Sequence, residues 1–238
     1  MPRDGTFNER AGFRPADGHM SYTYDYPHPA VTADICIFSI REGKLHVLLI
    51  QRLVEPYKDS WAIPGGFIKM DEDLETGARR ELEEETGVAD VPLEQLGAYG
   101  APDRDPRERV ITVAFMALVP SDQMVLAAST DAADARWFDM DDLPALAFDH
   151  ATILADARAR LADKVTNRVT ETAHAAFQFL PQKFTLAQAQ AVFETLRGEE
   201  LDKRNFRKWI AATWDLVDLK EKTSGGRHRP AALYSVDF

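Results

Sequence analysis

The hydrophobic and polar positions in the first part of the chain predict a hairpin followed by a helix. Two apolar, β-branched runs, Val31 to Ile40 and Leu45 to Gln51, flank the polar stretch Arg41 to Lys44, which predicts a β-hairpin. The segment Leu74 to Thr86 predicts a helix, because Gly87 stands where a left-handed C-terminal cap belongs.

Two further strands and a second helix complete this N-terminal unit. Arg109 to Val119 predicts a long strand and Ala135 to Phe138 a short one. Asp149 is suited to be the N-cap of an amphipathic helix whose apolar positions continue through Leu161. Strands and helices that mix in this way predict an α/β domain at residues 29–165, behind a polar tail and lead-in at residues 1–28.

The pattern changes after this domain. Phe184 to Leu196 and Asp202 to Ala212 have helical periodicity and are separated by a break at Gly198. Two apolar stretches then flank a polar, glycine-containing tip from Lys220 to Arg229. Helix, turn, helix and hairpin predict a winged-helix domain, to which we assign residues 166–238.

Charge and composition exclude several classes of protein. The formal net charge is −11, which argues against a protein that coats nucleic acid or anionic membrane over its whole surface. No apolar stretch approaches the roughly 20 residues needed to span a bilayer, and the N-terminus lacks the apolar core of a secretory signal. The cytoplasm is therefore the expected location. The single cysteine, Cys36, lies in an apolar run and is predicted to be a buried strand residue.

Carboxylates are concentrated on the first predicted helix. Side chains three and four positions apart share a helix face, so Glu81, Glu84 and Glu85 project together and repel one another. A hard cation, Mg²⁺ or Mn²⁺, would compensate for this repulsion and bridge to phosphate oxygens of a substrate. The three glutamates are therefore candidate metal ligands and candidate catalytic residues, one of which would accept a proton from the attacking water.

Residues outside this trio fit the same chemistry. Gly66 lets the backbone approach a ligand, and its carbonyl is a further candidate metal ligand. Arg80 is the predicted partner of Glu72, and their pairing would fix the preceding loop against the helix.

The spacing of these residues resembles the box that defines the Nudix hydrolase family. Most glutamate runs are solvated helix faces, but that explanation does not account for the spacing. The resemblance implies a Nudix α/β/α sandwich with a mixed sheet, hydrolysis of a nucleoside diphosphate linked to another moiety, and metal binding by the three glutamates. The matching positions are Gly66, Glu72, Arg80, Glu81, Leu82, Glu84, Glu85, Gly87 and Val88.

A charged loop at residues 102–107 precedes the long strand. Its sequence, Pro-Asp-Arg-Asp-Pro-Arg, resembles the corresponding region of ADP-ribose pyrophosphatases, which favours ADP-ribose over a triphosphate. Arg104 and Arg107 suit diphosphate oxygens, because a guanidinium donates two parallel hydrogen bonds, although exposed surface charges explain them equally well. Trp61 is predicted to pack in the core, and His150 to have a capping or packing role.

The C-terminal unit is locally basic. It has ten Lys and Arg against eight Asp and Glu from Ala176 to Phe238, a charge of +2. A dimerisation module or a solvated face would explain a small basic helix pair as well as DNA binding does. Cations on its second helix and on the wing are candidates for phosphate and groove contacts with double-stranded DNA. The candidate DNA-binding residues are Lys203, Arg204, Asn205, Arg207, Lys208, Arg227 and Arg229.

Six segments of the chain carry a further resemblance, namely 24–27, 31–32, 146–150, 184–186, 201–207 and 229–234. They resemble the NrtR family, whose members are Nudix-related transcriptional regulators of NAD metabolism. The resemblance implies a homodimer that binds a palindromic operator and responds to ADP-ribose or a related dinucleotide. Many members have a degraded box and only sense the ligand, whereas this box is intact. We therefore expect hydrolysis of ADP-ribose to AMP and ribose 5-phosphate in a chain that also regulates transcription.

Two alternatives stay open. One is a non-catalytic repressor that senses ADP-ribose, and the intact box argues against it. The other is a hydrolase of a different nucleoside diphosphate derivative whose C-terminal unit serves only for dimer packing. The basic helix and the wing argue against that second alternative.

Overall fold

The computed structural model describes residues 24–89, 91–120, 132–166, 175–223 and 230–236. No helix in these ranges has the length and apolar character needed to cross a membrane. The elements are β1 (Ala30–Arg41), β2 (Lys44–Arg52), β3 (Trp61–Ala62), β4 (Gly65–Phe67), α1 (Leu74–Thr86), β5 (Glu94–Tyr99), β6 (Val110–Leu118), β7 (Ala132–Asp139), α2 (His150–Thr166), α3 (Leu186–Arg197), α4 (Lys203–Thr213), β8 (Leu216–Lys222) and β9 (Ala232–Val236).

The first seven strands form one mixed sheet. β1 and β2 make the predicted antiparallel hairpin, in which Arg41 pairs with Lys44 at the turn. β1 is parallel to β6 on its other side, and the main strand order is β3-β2-β1-β6-β5. β4 pairs with β1 and β7 pairs with β2. This arrangement places β1 at the centre of the sheet, which explains why its apolar run is continuous rather than alternating.

The sheet has a helix on each face. Ile35 and Ile37 of β1 belong to the same apolar cluster as Leu82 of α1. Cys36 and Phe38 point to the opposite face, where they join a cluster that contains residues of α2. Successive side chains of a strand alternate between faces, so β1 contributes to both cores. The α/β/α sandwich with a mixed sheet is confirmed, and so is the burial of Cys36, whose side chain is fully buried.

Local sequence signals set the ends of α1. The Asp73 side chain accepts a hydrogen bond from the backbone N–H of Thr76, and Gly87 ends the helix in the left-handed conformation at φ 72°. Leu74 to Thr86 therefore form the helix predicted from the sequence.

The C-terminal unit has the predicted winged-helix order. α3 and α4 are followed by the antiparallel pair of β8 and β9. α3 begins at Leu186 rather than at Phe184, because Thr185 is the N-cap and forms a reciprocal capping box with Gln188. Phe184 instead forms a β-bridge with Tyr234.

The two units share an apolar core. Phe38 and Val47 of the first unit belong to the same cluster as Phe177, Phe193 and Ile210 of the second. A continuous cluster of this kind indicates that the winged-helix unit is packed against the sheet and α2 rather than held only by a linker.

Candidate functional site

A cavity of about 460 Å³ opens beside β4 and the C-terminal part of α1. Its walls come from β1, the end of β2, the β3–β4 segment, α1, and the loops before β6 and α2. The charged residues in its lining are Asp34, Arg52, Glu85, Arg104, Asp105 and Arg107. The cavity therefore brings together three carboxylates, from β1, α1 and the loop before β6, and three guanidinium groups, from β2 and the same loop.

Glu85 of α1 is one of the acidic residues that line the cavity. The residue is only 9% exposed, and its Oε2 accepts a hydrogen bond from the backbone N–H of Gly65 at 2.7 Å. Burial raises the pKa of the Glu85 carboxyl group to about 8, and the nearby carboxylates of Glu81 and Asp34 add to the increase. A carboxylate that has lost its hydration in this way is stabilised by an adjacent cation.

Glu81 lies directly against Gly66. A Cβ atom added to Gly66 would be 2.5 Å from the carboxylate of Glu81. Glycine is therefore required for this approach. Burial also raises the pKa of Glu81, so a second carboxylate at this position is poorly hydrated.

Arg80 connects the loop before α1 to the helix. Its Nη2 and Nε donate hydrogen bonds to Glu72 at 2.6 and 3.0 Å. Its Nη1 reaches Glu81 at 2.6 Å and Glu84 at 3.1 Å. The contact with the Arg80 guanidinium lowers the pKa of Glu72 to about 2. Glu72 is thus held as an anion whose two oxygens are engaged by Arg80.

The oxygen ligands offered by the three glutamates and by the carbonyl of Gly66 fit a hard divalent cation, although the carboxylates are not already arranged around a common point. Across the described ranges, no three His, Cys, Asp or Glu side chains converge as a metal-binding group. Arg80 contacts both Glu81 and Glu84, and the side chain of Glu84 is 57% exposed. The chemistry nevertheless suits Mg²⁺ or Mn²⁺, which prefer oxygen ligands. The carboxylate of Glu81 lies against the backbone of Gly66, in space that a Cβ atom at that position would fill.

Arg104 is a buried residue of the cavity. Its Nε and Nη2 donate to the carboxylate of Asp149 at 3.0 and 2.8 Å, and its Nη2 lies 3.5 Å from Oδ2 of Asp34. Its side chain is 3% exposed, so it is not a surface charge. Asp149 directly precedes α2, where its backbone carbonyl accepts from Ile153, but its carboxylate binds Arg104.

Arg107 is paired in a similar way. Its Nε and Nη2 donate to Asp105 at 3.0 and 2.7 Å. The guanidinium lies over the rings of Phe67 and Phe148, at 5.2 and 5.8 Å from their centroids. These distances are within the range of cation–π contacts.

Two other sequence predictions concern packing. His150 is buried, and its Nδ1 accepts a hydrogen bond from the backbone N–H of Ile63 at 2.9 Å, which confirms a packing role. Trp61 is partly buried and packs against the main apolar cluster, with its ring centroid 4.6 Å from that of Phe138, so it lies at the margin of the core.

Among the cavity residues that the sequence analysis did not assign to a site are Asp34, Arg52 and Phe148. Asp34 had a detectable signal, because it is a charged residue within the apolar run of β1 and is only 6% exposed. Arg52 had none, and Phe148 was noted only as part of segment 146–150, since their proximity depends on the end of β2 meeting the loop before α2.

A second candidate surface lies on α4. Phe206 and Ile210 face the core, and the opposite side of the helix is solvent-exposed. None of its four cations forms an ion pair within the part of the chain that the structure describes. Arg227 and Arg229 lie outside the described residues. The exposed polar residues of α4 are Lys203, Arg204, Asn205, Arg207 and Lys208.

Two family models match the chain. The model of the NUDIX domain matches residues 29–157. The model of the NrtR DNA-binding winged helix domain matches residues 176–236.

Individual proteins are similar to the whole chain or to its first unit. The ADPR responsive transcriptional repressor NtrR of Acinetobacter baylyi is 35% identical over 216 residues, which cover 88% of this chain and 83% of that protein. The ADP-ribose pyrophosphatase of Methanocaldococcus jannaschii is 43% identical over 131 residues, which cover 55% of this chain and 74% of that protein. The crystal structure of Shewanella oneidensis NrtR complexed with a 27mer DNA aligns with a TM-score of 0.73 and 34% identity, covering 87% of this chain and 93% of that one.

Proposed function

Because the chain belongs to the Nudix family, with an NrtR-type winged-helix domain after its Nudix domain, we propose that it is an ADP-ribose-responsive transcriptional regulator that also hydrolyses ADP-ribose. The observation that carries the proposal is the position of the complete box, whose Gly66 and Glu85 line the charged cavity. The similarity of the chain to an ADPR responsive repressor and to an ADP-ribose pyrophosphatase supports the choice of ADP-ribose as the ligand.

The proposed reaction is hydrolysis of the diphosphate bond. Water attacks one phosphorus atom, the bond from that phosphorus to the bridging oxygen breaks, and AMP and ribose 5-phosphate leave. Glu81, Glu84 and Glu85, together with the carbonyl of Gly66, would hold Mg²⁺ or Mn²⁺, which supplies Lewis-acid polarisation of the diphosphate when bound. A carboxylate of the same set accepts the proton of the water.

Other residues of the Nudix domain shape the site. The Arg80–Glu72 pair fixes the loop that joins β4, which contains Gly66, to α1. Arg104 and Arg107 line the cavity, and in this proposal they lie beside the diphosphate. Their own carboxylate partners hold both side chains in place, so the shape of this wall is set before the ligand binds.

The winged-helix domain would bind double-stranded operator DNA. Its exposed α4 has the position and charge of a recognition helix, and a homodimer would present two such helices to a palindromic site. The similarity to an NrtR protein solved with DNA supports this role. In this proposal the base and phosphate contacts come from Lys203, Arg204, Asn205, Arg207, Lys208, Arg227 and Arg229.

The test combines an enzyme assay with a DNA titration. AMP release from ADP-ribose is measured with and without Mg²⁺, beside NADH, sugar nucleotides and nucleoside triphosphates. Affinity for duplexes selected from a random-sequence pool is measured with and without ADP-ribose. We expect Mg²⁺-dependent release of AMP from ADP-ribose, selection of a palindrome, and a change in its affinity when ADP-ribose is added.

A non-catalytic ADP-ribose sensor is the second candidate. It is favoured by the contacts of Arg80 with Glu81 and Glu84, which occupy oxygens that the metal would need. DNA binding that responds to ADP-ribose, without AMP release, would select this function. Turnover of another substrate in preference to ADP-ribose would instead reject ADP-ribose as the enzyme's substrate.

A further inference from the structure

The end of β2 brings an additional cation, Arg52, into the cavity. Its Nε donates to the backbone carbonyl of Pro56 at 2.8 Å, and its Nη2 to that of Val54 at 3.4 Å. Its guanidinium lies 4.8 Å from the centroid of the Phe148 ring. These contacts hold the side chain in the cavity wall without neutralising its charge.

The other two arginines of the cavity differ in this respect. Arg104 donates two hydrogen bonds to Asp149, and Arg107 donates two to Asp105. Among the described residues, Arg52 forms no ion pair with a carboxylate. The guanidinium groups of Arg104 and Arg107 are therefore already paired with carboxylates of the protein, whereas the guanidinium of Arg52 is not.

The guanidinium of Arg52 is poorly hydrated. Burial lowers the pKa of Arg52 and the neighbouring guanidinium of Arg107 lowers it further, while the more weakly acting carboxylates of Asp105, Glu85 and Asp34 raise it. A guanidinium remains protonated under such conditions, so the cost of placing it there is relieved by an anion. A phosphate group, which accepts several hydrogen bonds from Arg, is the anion that suits this geometry.

Apolar surface adjoins this cation. Leu53, Val54 and Phe67 also line the cavity and are 40%, 64% and 42% exposed. Phe148 has φ 54°, a left-handed conformation that is uncommon for an aromatic residue and that occurs here in the cavity wall. A nucleoside diphosphate has an anionic group beside a less polar body. Such a ligand would match the cation Arg52 and the apolar surface beside it.

Building on the proposed function, we propose that Arg52 is the arginine that binds the diphosphate of the ligand directly. Arg104 and Arg107 then act as positioning residues, because their hydrogen bonds to Asp149 and Asp105 fix the loop before β6 that forms this wall of the cavity. This assignment adds a residue to the substrate-binding set and gives Arg52, rather than Arg104 or Arg107, the direct phosphate contact.

The experiment measures ligand affinity by isothermal titration calorimetry with Ca²⁺ in place of Mg²⁺, after an AMP assay has shown that ADP-ribose is not hydrolysed under these conditions. The ligands are ADP-ribose and inorganic pyrophosphate, and the variants are Arg52→Gln, Arg52→Lys, Arg107→Gln and Arg109→Gln. Arg109 is the matched control, because it also donates to a backbone carbonyl, that of Ala101, but does not line the cavity.

We expect Arg52→Gln to weaken the binding of both ligands by about 10- to 100-fold, the range for losing a charged hydrogen-bond partner. Arg52→Lys should recover part of the loss by restoring the charge, which a purely structural role of the loop contacts would not allow. Arg107→Gln should cost less than Arg52→Gln, and Arg109→Gln should bind as the wild type does.

Wild-type affinity in Arg52→Gln would overturn the proposal, as would an equal or larger loss in Arg107→Gln. If Arg52→Gln does not fold, the Arg52→Lys variant decides. Unchanged pyrophosphate affinity in that variant would overturn the proposal, because a lysine ammonium cannot replace two parallel hydrogen bonds from a guanidinium. Pyrophosphate binding that depends on Arg52, without binding of ADP-ribose, would support this site and reject the proposed ligand. Binding of neither ligand by the wild type would reject both proposals.

Discussion

The hydroxyl group of Thr195 in α3 donates a hydrogen bond to the backbone carbonyl of Gly43, at a distance of 3.0 Å. Gly43 lies in the turn between β1 and β2, and the other end of β2 places Ile50 and Arg52 in the cavity wall. α3 in turn packs on α4, with the rings of Phe193 and Phe206 5.6 Å apart. Packed elements therefore link the cavity to the basic helix.

We expect Thr195→Val to weaken this link while nearly preserving the volume of the side chain. Loss of one hydrogen bond should lower the free energy of unfolding by about 0.5–1.5 kcal/mol. It should also reduce the factor by which ADP-ribose changes DNA affinity, because the hairpin would be less firmly attached to α3. Urea denaturation measures the first effect, and DNA titrations with and without ADP-ribose measure the second.

Thr195→Ser is the matched control, since it keeps the hydroxyl group and should behave much like the wild type. An ADP-ribose effect of the same size in Thr195→Val would show that this hydrogen bond does not transmit the response.

Gly66→Ala tests the close approach of β4 to α1. The added Cβ would lie 2.5 Å from the carboxylate of Glu81 and would displace it. We expect the rate of AMP release to fall by about 100-fold, the upper end of the loss seen when groups around a metal are disturbed. Initial rates over a series of Mg²⁺ concentrations would measure this effect.

Gly97→Ala provides the comparison for Gly66→Ala. A Cβ at Gly97 would meet no atom within 4 Å, so activity should be unchanged. If both alanine variants keep full activity, the position of Glu81 against Gly66 is not needed for hydrolysis.

Much of the fold could be predicted because its signals are local. The hairpin of β1 and β2 follows from two apolar runs around a polar turn, and α1 follows from its caps at Asp73 and Gly87. The strands β3 and β4 have two and three residues, which is too short for any periodicity to be detected.

The arrangement within the site was less accessible from sequence. The spacing of the box predicts which residues of α1 share a face, because side chains three and four positions apart lie on the same side of a helix. It does not determine that Arg104 binds Asp149, which lies 45 positions away, or that Arg52 meets Phe148. Those contacts depend on how the loops before β6 and α2 pack over the sheet.

Glu85→Gln tests the role of the buried carboxylate. The substitution keeps the size of the side chain but removes a negative charge from the proposed metal site. We expect AMP release to fall by more than about 100-fold, since changes outside the ligand shell already cost about 10- to 100-fold. The assay is AMP release from ADP-ribose at saturating Mg²⁺.

Glu83→Gln is the control for this effect. Glu83 is also on α1 but is exposed and occupies a variable position between the fixed residues of the box. It should retain wild-type turnover. Equal activity in Glu85→Gln and Glu83→Gln would remove Glu85 from the proposed metal site.

The last prediction concerns the cations of α4, whose exposed side chains suit contacts with DNA phosphates. We expect replacement of Lys203, Arg204 and Arg207 by Gln to weaken DNA binding and to reduce its salt dependence, by about 0.9 in logarithmic slope for each phosphate that the variant no longer neutralises. Fluorescence anisotropy over a series of salt concentrations measures both quantities. Arg158→Gln, an exposed cation of α2 paired with Asp141, should leave the slope unchanged. An unaltered slope in the triple variant would show that α4 does not contact the DNA backbone.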